Sequence, residues 1–489
     1  MGLRKIRRCV GMFVQLAAFA VHLCGWGAVL YVGKSDLPRE ARIGVERRLI
    51  SIQSAIDAAR DGDTVIIQPG RYEENIHFKG RAITVRSEDP EDPAVVASTI
   101  IDGRGAGTVV TFNSDERESS VISGFTITNG RGEWGGGIQC AMWTVPTVRN
   151  NRIIGNTALR GGGGIYCAYS VTATRNIIAF NQSNFEGGGV YAEVSSWPLI
   201  TSNYIFRNEA STYGGGVFCH SFCVGRIINN TIADNSAPMG GGGIYAAFGA
   251  YPDIWNCVLW ANGDDLFGWG AANSCIEDVG AENEGPGNIH LNPLFVNPVL
   301  EDYHILASSS CIGAGTISAP SMPVLDFDGE PIPDFFVADI GADEFFDTDS
   351  DDLADVWENK WFGNLGESGG DDSDDDQLSN ENELIVGTDP TNPDTDGDSC
   401  LDGVEFFADT DPLDPESLFK ILGLSVSASK VTLEWSTVRG RWYQTQFSDD
   451  LQSWTPIGQA FSAIGDTLQS TIAIPKSILV RFFRVEVLP

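Results

Sequence analysis

Three stretches of the chain carry carboxylates at a spacing that suits the binding of a hard divalent cation. A twelve-residue calcium loop takes side-chain oxygens from positions 1, 3, 5, 9 and 12 and a backbone carbonyl from position 7. In the order 1, 3, 5, 7, 9 and 12, the stretches supply Asp347, Asp349, Asp351, Leu353, Asp355 and Glu358; Asp372, Asp374, Asp376, Leu378, Asn380 and Glu383; and Asp394, Asp396, Asp398, Cys400, Asp402 and Glu405. A solvated acidic linker would not place glutamate at position 12 three times. The spacing therefore predicts three structural Ca²⁺ sites.

These loops depart from the usual pattern at position six. That position is normally glycine because the backbone turns sharply there, but here it is Asp352, Gln377 and Ser399. We therefore expect weak affinities, in the range of extracellular modules at about 10⁻⁴–10⁻³ M. Bound Ca²⁺ would neutralise much of the local charge and stiffen the segment into a spacer.

The negative charge of the chain is concentrated around these loops. Residues 343–416 hold 26 Asp and Glu and a single basic residue, which gives −25 of the formal net charge of −35. A chain this acidic is repelled by nucleic acid and by anionic lipid headgroups. Neither is therefore an expected partner.

A sequence repeat of about 27 residues determines the secondary structure expected before the acidic loops. Five glycine runs lead into Ile138, Ile165, Val190, Val217 and Ile244. A pair of asparagines follows each run, the first at Asn151, Asn176, Asn203, Asn230 and Asn256 and the second at Asn156, Asn181, Asn208, Asn235 and Asn262. Short β-type runs at this period predict an all-β fold, a right-handed parallel β-helix with apolar side chains stacked inside and asparagine amides hydrogen-bonded along its corners.

We assign residues 45–346 to this β-helix. Strands are predicted before the regular repeats at Thr64–Gln68, Ala82–Arg86, Thr99–Asp102, Thr108–Phe112 and Val121–Thr128. Ahead of them, Ile52, Ala55, Ile56 and Ala59 form an apolar helical stripe. This stripe predicts an N-terminal helix that caps the open end of the β-helix.

The strand after each glycine run offers a candidate contact for sugars. Its second position is aromatic in four successive coils, at Tyr166, Tyr191, Phe218 and Tyr245. Strand alternation turns these rings outward as a stacked stripe, because their neighbours are apolar or small and point inward. Two interpretations remain open: the stripe is a platform for sugar rings, or the rings only stabilise the sheet or lie beneath a loop.

Catalysis in the groove of the β-helix is an alternative to binding. A polysaccharide lyase needs a Lys or Arg base, but no lysine lies between Lys79 and Lys360 and the arginines fall at differing places in the repeat. A glycosidase needs two carboxyls roughly 5–10 Å apart, and Glu186, Glu193 and Glu209 are the candidates. The sequence assigns a catalytic role to none of these residues.

The two ends of the chain have signatures of their own. Four basic residues among the first eight precede an apolar run that ends at Val32. Residues 1–33 are therefore predicted to be a secretory signal or an uncleaved membrane anchor. Residues 418–489 alternate in β-type runs and predict a small β-sandwich. In an exported chain Cys140 and Cys167, one coil apart, are either a disulfide or two buried free thiols.

Several motifs resemble known families. The segment from Ser51 to Ala59, with Gly62-Asp-Thr-Val and Pro69-Gly-Arg-Tyr, resembles the entry of pectate-lyase-like right-handed β-helix proteins, and the glycine repeats are similar to those of polymorphic outer-membrane proteins. Asp302-Tyr-His-Ile and Asp339-Ile-Gly-Ala-Asp-Glu resemble the end of bacterial choice-of-anchor Q β-helix proteins. The acidic loops resemble bacterial thrombospondin type 3 repeats, which implies calcium binding in residues 347–416. The β-helix groups imply a fold and export rather than one activity.

Together these features predict an exported modular protein, secreted or held at the cell surface. We expect a monomer with structural Ca²⁺ that binds glycans or mediates adhesion through the β-helix. Its expected partner is a polysaccharide or a cell-surface glycan, and membrane contact is confined to the N-terminal segment if that segment is retained. A polysaccharide lyase or glycoside hydrolase, and a surface protein with a purely structural role, are the alternatives.

Overall fold

The computed structural model describes residues 28–33, 48–49, 51–280, 285–333, 337–417, 420–427, 429–465, 467–473 and 481–488. Its principal element is a right-handed parallel β-helix, as the repeat predicts. Three short helices follow in the acidic segment, and two small antiparallel sheets form the C-terminal part of the described chain.

Three parallel sheets run along the β-helix, which we number in the order the chain visits them. The first sheet stacks Arg48–Leu49, Val29–Val32, Thr64–Ile67, Thr84–Ser87, Val121–Ser123, Thr147–Arg149, Thr172–Thr174, Leu199–Thr201, Arg226–Ile228 and Asp253–Trp255. The second stacks Gly70–Tyr72, Thr99–Asp102, Thr126–Thr128, Arg152–Ile154, Ile177–Ala179, Tyr204–Phe206, Thr231–Ala233, Val258–Trp260 and Cys275–Ile276. The third stacks Ile76–His77, Val110–Phe112, Ile138–Cys140, Ile165–Cys167, Val190–Ala192, Val217–Cys219, Ile244–Ala246 and Leu266–Phe267. A short fourth sheet, between the second and third, contains Arg131–Trp134, Thr157–Gly161, Gln182–Ser183 and Glu209–Ala210.

The core is a set of columns of apolar side chains, each column formed by equivalent residues of successive coils. In the third sheet the residues after the glycine runs pair in register and are fully buried, at Ile138, Ile165, Val190, Val217 and Ile244. Each side chain packs on the one in the next coil, so dispersion contacts accumulate along the axis. The periodicity thus identified the interior residues of this sheet correctly.

The repeated glycines are required by the turn that enters the third sheet. Gly187 has φ of +64°, a conformation that side chains with a Cβ rarely adopt. A Cβ added to Gly188 would lie 2.5 Å from the carbonyl oxygen of Gly215 in the next coil. One glycine therefore allows the turn and the next allows the close approach of neighbouring coils.

Two ladders of buried asparagines fasten the coils at the corners. In the first ladder, Nδ2 of Asn176 donates to Oδ1 of Asn203 at 2.9 Å, and the backbone N–H of Asn176 donates to the same oxygen at 2.9 Å. The second ladder repeats this arrangement and ends where Nδ2 of Asn262 donates to Oδ1 of Asp265 at 2.9 Å. The prediction that Asn256 is the fifth residue of the first ladder is wrong. Asn256 has φ of +50°, and the next residue, Cys257, takes the ladder position.

The N-terminal end of the β-helix is closed as predicted. The helix Ile52–Ala58 begins at Ser51, whose side chain accepts the backbone N–H of Ser54, and it buries Ile52, Ala55 and Ile56 against the first coil. A second short helix, Pro93–Ser98, lies between the first and second sheets.

The predicted N-terminal segment lies mostly outside the described residues, which exclude residues 1–27. Val29–Val32, which the prediction included in that segment, pair in parallel with Thr64–Ile67 in the first sheet. The last residues of the predicted segment, Val29–Val32, thus form a strand of the β-helix, and the prediction for residues 1–27 lies outside the described residues. Among the described residues, no helix combines the length and the apolar character needed to cross a bilayer.

After the last coil the chain returns along the outer face of the second sheet. We call residues 292–333 and 337–346 the strap. It contains the antiparallel strands Phe295–Asn297 and Asp302–Ile305, joined by the 3₁₀ helix Pro298–Leu300. Tyr303 and Phe327 of the strap pack on Tyr204 and Phe206 of the sheet. The apolar outer face of the second sheet is thereby covered.

The acidic segment and the C-terminal part follow the strap. The acidic segment contains the helices Asp355–Trp361, Asn380–Val386 and Asp402–Ala408. One C-terminal sheet contains Ile421–Val426, Lys430–Ser436 and Thr467–Ala473, and the other contains Trp442–Ser448, Thr455–Pro456, Phe461–Ser462 and Phe482–Leu488. Trp435 and Tyr443 are fully buried in the core they share.

The cysteines of the β-helix are free thiols. Cys140 and Cys167 face each other in neighbouring coils, and both are fully buried without a disulfide between them. Burial raises the pKa of both thiols, which keeps them protonated and unreactive.

Candidate functional site

Each acidic loop is wound around the carboxylate at its first position. Oδ1 of Asp347 accepts the backbone N–H of Ser350 at 2.6 Å, and its Oδ2 accepts that of Asp352 at 3.0 Å. In the other two loops, Oδ2 of Asp372 and Oδ2 of Asp394 accept the backbone N–H of position six, at 2.9 Å in both cases. These bonds close each loop into a tight turn that holds the following carboxylates on its inner side.

Position six adopts the backbone conformation that glycine would supply, although none of the three loops has glycine there. The φ angles of Asp352, Gln377 and Ser399 are +75°, +82° and +79°. A residue with a Cβ in this conformation costs roughly 1–2 kcal/mol. Each loop therefore makes the sharp turn that glycine usually makes at position six, and it does so at an energetic cost.

The predicted ligands converge within each loop. Carboxylate oxygens of positions 1, 3 and 5 lie within 4.8 Å of one another in all three loops, and those of Asp349, Asp355 and Glu358 form a further group in the first. Position nine begins each helix: Asp402 accepts the N–H of Thr395 at 2.9 Å, and Asn380 donates to the carbonyl of Ser368 at 2.9 Å. Leu353 and Leu378, at position seven, are buried, whereas Cys400 is half-buried.

The glutamates at position twelve are buried and incompletely hydrogen-bonded. Glu358, Glu383 and Glu405 are fully buried in the first turn of their helices. Both carboxylate oxygens of Glu358 and one each of Glu383 and Glu405 are buried without a hydrogen-bond partner among the described residues. Burial, reinforced by the neighbouring aspartates, raises the pKa of these carboxyls to about 7, 8 and 7. Buried carboxylate oxygens aimed at other carboxylates fit a site for a cation.

The loops are joined to one another and to the strap. The backbone N–H of Gly403, in the third helix, donates to Oδ2 of Asp376 in the second loop at 2.7 Å. Asn297 of the strap donates to the carbonyl of Ile385 at 2.8 Å. The acidic segment is thus a packed unit that contacts the strap. The geometry of each loop therefore depends on the helices and loops packed against it.

The aromatic stripe predicted as a sugar platform is not exposed. Tyr166, Tyr191 and Phe218 are 8%, 3% and 4% exposed, and Tyr245 is partly buried. The rings stack outward in register, with 5.1 Å between the ring centroids of Tyr191 and Phe218 and 5.4 Å between those of Phe218 and Tyr245. The rings point outward as predicted, and their burial favours the second of the two interpretations, in which they stabilise the sheet or lie beneath a loop.

The cover of this stripe comes from the turns around the fourth sheet. Trp134, at the end of one of its strands, packs on Tyr166 with 5.0 Å between ring centroids. Tyr213, in a turn after another, packs on Tyr245 at 4.5 Å. Glu193 accepts the hydroxyl of Tyr166 at 2.8 Å. The rings therefore form a second apolar cluster outside the main core.

A different set of aromatic side chains is exposed on the β-helix. They lie in the turns that join the third sheet to the first, and we call them the aromatic ridge. The ridge consists of Trp143, Tyr169, Trp197, Phe222, Phe248, Tyr251 and Trp269. Tyr169 is partly exposed, and the exposure of the others ranges from 39% for Trp269 to 99% for Phe248. The strap covers the second sheet and leaves these turns open.

Successive turns bring the ridge side chains into contact. Ring centroids lie 5.1 Å apart for Trp143 and Tyr169, 4.2 Å for Tyr169 and Trp197, and 5.0 Å for Tyr251 and Trp269. Backbone bonds fix the spacing, because the N–H of Trp197 donates to the carbonyl of Tyr169 at 2.9 Å. The ridge therefore contains two groups of packed rings, Trp143 to Trp197 and Tyr251 with Trp269, and the exposed side chains of Phe222 and Phe248 lie in the turns between them.

The candidate catalytic glutamates have different surroundings. Glu193 is held by Tyr166, while Glu209 lies in the fourth sheet and accepts a hydrogen bond from Gln182 at 3.5 Å. Burial raises the pKa of Glu186, and the electrostatic effect of the nearby His220 partly offsets that increase. The arrangement favours neither of the glycosidase geometries over a set of surface acids.

Comparison with known proteins supports the fold. Residues 74–224 match the family model described as the right-handed beta helix region. The crystal structure of pectate lyase Pel9A is similar over 66% of this chain and 98% of its own, with 15% identity and a TM-score of 0.35. A similarity at that TM-score says nothing about substrate or activity. No curated protein matches the chain significantly.

Proposed function

We propose that this protein is an exported, calcium-stabilised protein that binds a polysaccharide along the aromatic ridge. The observation that supports the proposal is the exposure of large rings in successive turns, at Trp143, Trp197, Phe222 and Phe248. Large apolar side chains that are exposed together along one edge mark an interaction site. Flat rings in a row suit the apolar faces of successive sugars in an extended chain.

The charge of the protein selects among polysaccharides. With a formal net charge of −35, the chain repels acidic glycans at long range. Arg226, which begins the strand after the turn that contains Phe222, forms an ion pair with Asp253, with 3.8 Å between Nε and Oδ2. We therefore propose a neutral polysaccharide as the ligand, bound mainly by stacking and by hydrogen bonds from its hydroxyl groups.

Affinity electrophoresis in gels that contain neutral or acidic polysaccharides tests this proposal. Neutral polymers should retard the Ca²⁺-loaded protein, and the double variant Trp197→Ala/Phe222→Ala should weaken retardation at least about tenfold, because each ring removes roughly 1–2 kcal/mol of contact. Phe185→Ala is the matched control, since Phe185 is 53% exposed on another edge of the β-helix. Retardation equal in wild type and double variant, with native circular dichroism, would overturn the proposal.

The same samples separate binding from turnover. A binding protein leaves its polysaccharide intact, so the concentration of reducing and unsaturated sugar ends should stay constant during incubation. Release of new ends would replace the binding proposal with the lyase or hydrolase alternative, and Glu186 and Glu193 would be the first residues to vary.

We also propose that the three acidic loops bind Ca²⁺ as a structural ion. The supporting observation is the set of buried, unpartnered oxygens of Glu358, Glu383 and Glu405, which Ca²⁺ at the loop centre would coordinate. Calorimetric titration should give three Ca²⁺ per chain. Glu383→Gln should lower that number to two, whereas Glu381→Gln, an exposed residue of the same helix, should leave it at three. Equal uptake by both variants would contradict the assignment.

Export is the remaining part of the proposal. Its support is the basic and apolar N-terminal sequence together with the position of Val29–Val32 in the first sheet. A cleaved signal must therefore end before Val29, and N-terminal sequencing of protein recovered from the growth medium or cell surface should place the new terminus there. Recovery of the chain from the cell interior alone would contradict export.

A further inference from the structure

The strap carries a histidine and three carboxylates that neither the acidic loops nor the aromatic ridge uses. One ligand atom each of His304, Asp328 and Asp343 lies within 4.8 Å of the others. These residues line a cavity of about 570 Å³ that also borders the helices Pro93–Ser98 and Asp355–Trp361. The cluster is therefore accessible from a space large enough for a small molecule.

Asp302 fixes the orientation and the tautomer of His304. Its Oδ1 lies 2.5 Å from Nδ1 of the ring and also accepts the backbone N–H of His304 at 3.1 Å. The edge of the ring packs on Tyr204 with 5.5 Å between centroids. A carboxylate at Nδ1 keeps the proton of a neutral imidazole there and directs the lone pair of Nε2 to the opposite side.

The opposite side holds the two remaining carboxylates. Nε2 of His304 lies 3.1 Å from Oδ2 of Asp328. Asp343 is nine-tenths buried, and no described residue donates a hydrogen bond to its carboxylate. A buried carboxylate is costly unless a cation or hydrogen bonds offset its charge. A bound cation between Asp343, Asp328 and Nε2 of His304 would satisfy all three groups.

We propose that His304, Asp328 and Asp343 bind one divalent first-row transition-metal ion such as Zn²⁺, with Asp302 holding His304 in the ligating tautomer. An imidazole nitrogen with two carboxylates suits Zn²⁺ or Mn²⁺, whereas Ca²⁺ takes oxygen ligands. Three protein ligands leave a coordination position that faces the cavity. The ion is thus open to water or to a small anionic ligand.

Calorimetric titration of the full chain with Zn²⁺ tests the site, with millimolar Ca²⁺ present to occupy the acidic loops. We expect one Zn²⁺ per chain, and a loss of affinity of about tenfold to a hundredfold in His304→Gln, Asp343→Asn and Asp302→Asn. His290→Gln is the matched control, because within the described part of the chain the hydrogen-bond partner of Nδ1 of His290 is the carbonyl of Ile276.

Co²⁺ as a second probe distinguishes a true ligand from a merely structural residue. Bound Co²⁺ should show visible ligand-field absorption that changes in energy in His304→Gln, while the far-ultraviolet dichroism of the variant stays native. Two results would overturn the proposal: Zn²⁺ affinity that is the same in His304→Gln and wild type, or no uptake of either ion by folded protein. In both cases His304 would be a protonated ring between Asp302 and Asp328.

Discussion

Single asparagines determine how firmly neighbouring coils are joined. Nδ2 of Asn203 donates to the carbonyls of Ala173 and Thr201 and to Oδ1 of Asn230, each at 2.9 Å. Its Oδ1 accepts both the backbone N–H and the Nδ2 of Asn176 at 2.9 Å. One side chain therefore satisfies polar groups of three coils inside an apolar core, where an unsatisfied group costs about 1–3 kcal/mol.

The variant Asn203→Ala should consequently lower the free energy of unfolding by about 3–5 kcal/mol, because several buried donors and acceptors lose their partner at once. Asn184→Ala, at an exposed position of the preceding coil, should change it by less than about 0.5 kcal/mol. Urea unfolding followed by circular dichroism measures both. Equal midpoints for the two variants would show that the ladder adds no net stability.

The covered aromatic stripe shows what residue patterns alone can predict. Alternation around Tyr191 and Phe218 correctly predicted rings that point out of the β-helix, because the direction of a strand side chain depends only on its parity. Their burial depends on Trp134 and Tyr213, which lie in turns of irregular length. The ridge at Trp197 and Phe222 was missed for the same reason, since turn residues have no fixed register.

At the scale of elements, the last coil ends the β-helix with a buried carboxylate. Asp265 is 1% exposed. It accepts hydrogen bonds from Nδ2 of Asn262 at 2.9 Å and from the backbone N–H groups of Glu277 and Asp278 at 2.9 Å and 3.2 Å. These bonds favour the charged form, but burial outweighs them and raises the pKa of Asp265 to about 6.

This shift makes the stability of the last coil depend on pH. The folded state holds a proton on Asp265 up to a pH of about 6, whereas the unfolded chain loses it near 3.9. The stabilising contribution is therefore complete below pH of about 4 and is lost as the pH rises through about 6. The free energy of unfolding of wild type minus that of Asp265→Asn should fall by about 2–3 kcal/mol between these limits. Urea unfolding across this range measures it, and a constant difference would contradict the assignment.

Elements that have a sequence period or a motif were predictable, and elements that have neither were not. The β-helix, its capping helix over Ile52–Ala58 and the three acidic loops each follow from a period or a motif that the sequence states directly. The strap has no period, and its contacts with Tyr204 and Phe206 join residues that lie far apart in the chain. The cluster around His304 was missed because Asp302, Asp328 and Asp343 converge only when the strap folds back.

At the scale of the whole molecule, the proposed Ca²⁺ ions decide whether the acidic segment stays compact. Without a cation, the buried carboxylates of Glu358, Glu383 and Glu405 face other acids. Chelation should therefore open residues 347–417 while the β-helix remains folded. Digestion with a protease that cleaves before aspartate should then cut this segment first, and mass spectrometry of the fragments identifies the cuts. Excess Mg²⁺ without Ca²⁺ is the control, and a cleavage pattern that chelation leaves unchanged would contradict the structural role.

The strap also bears on how such a chain can evolve. Solenoids usually change length when a repeat unit is duplicated or deleted. Here Arg175 donates to the carbonyl of Phe327 at 3.0 Å, Ser202 to that of Leu325 at 3.1 Å and Asn256 to that of Thr316 at 2.8 Å. A coil duplicated between Arg175 and Asn256 would move these donors apart by about 4.8 Å, which one continuous strap cannot follow. The strap therefore fixes the number of coils between its contacts. Descendants of different length must gain or lose coils outside the part of the β-helix that the strap spans.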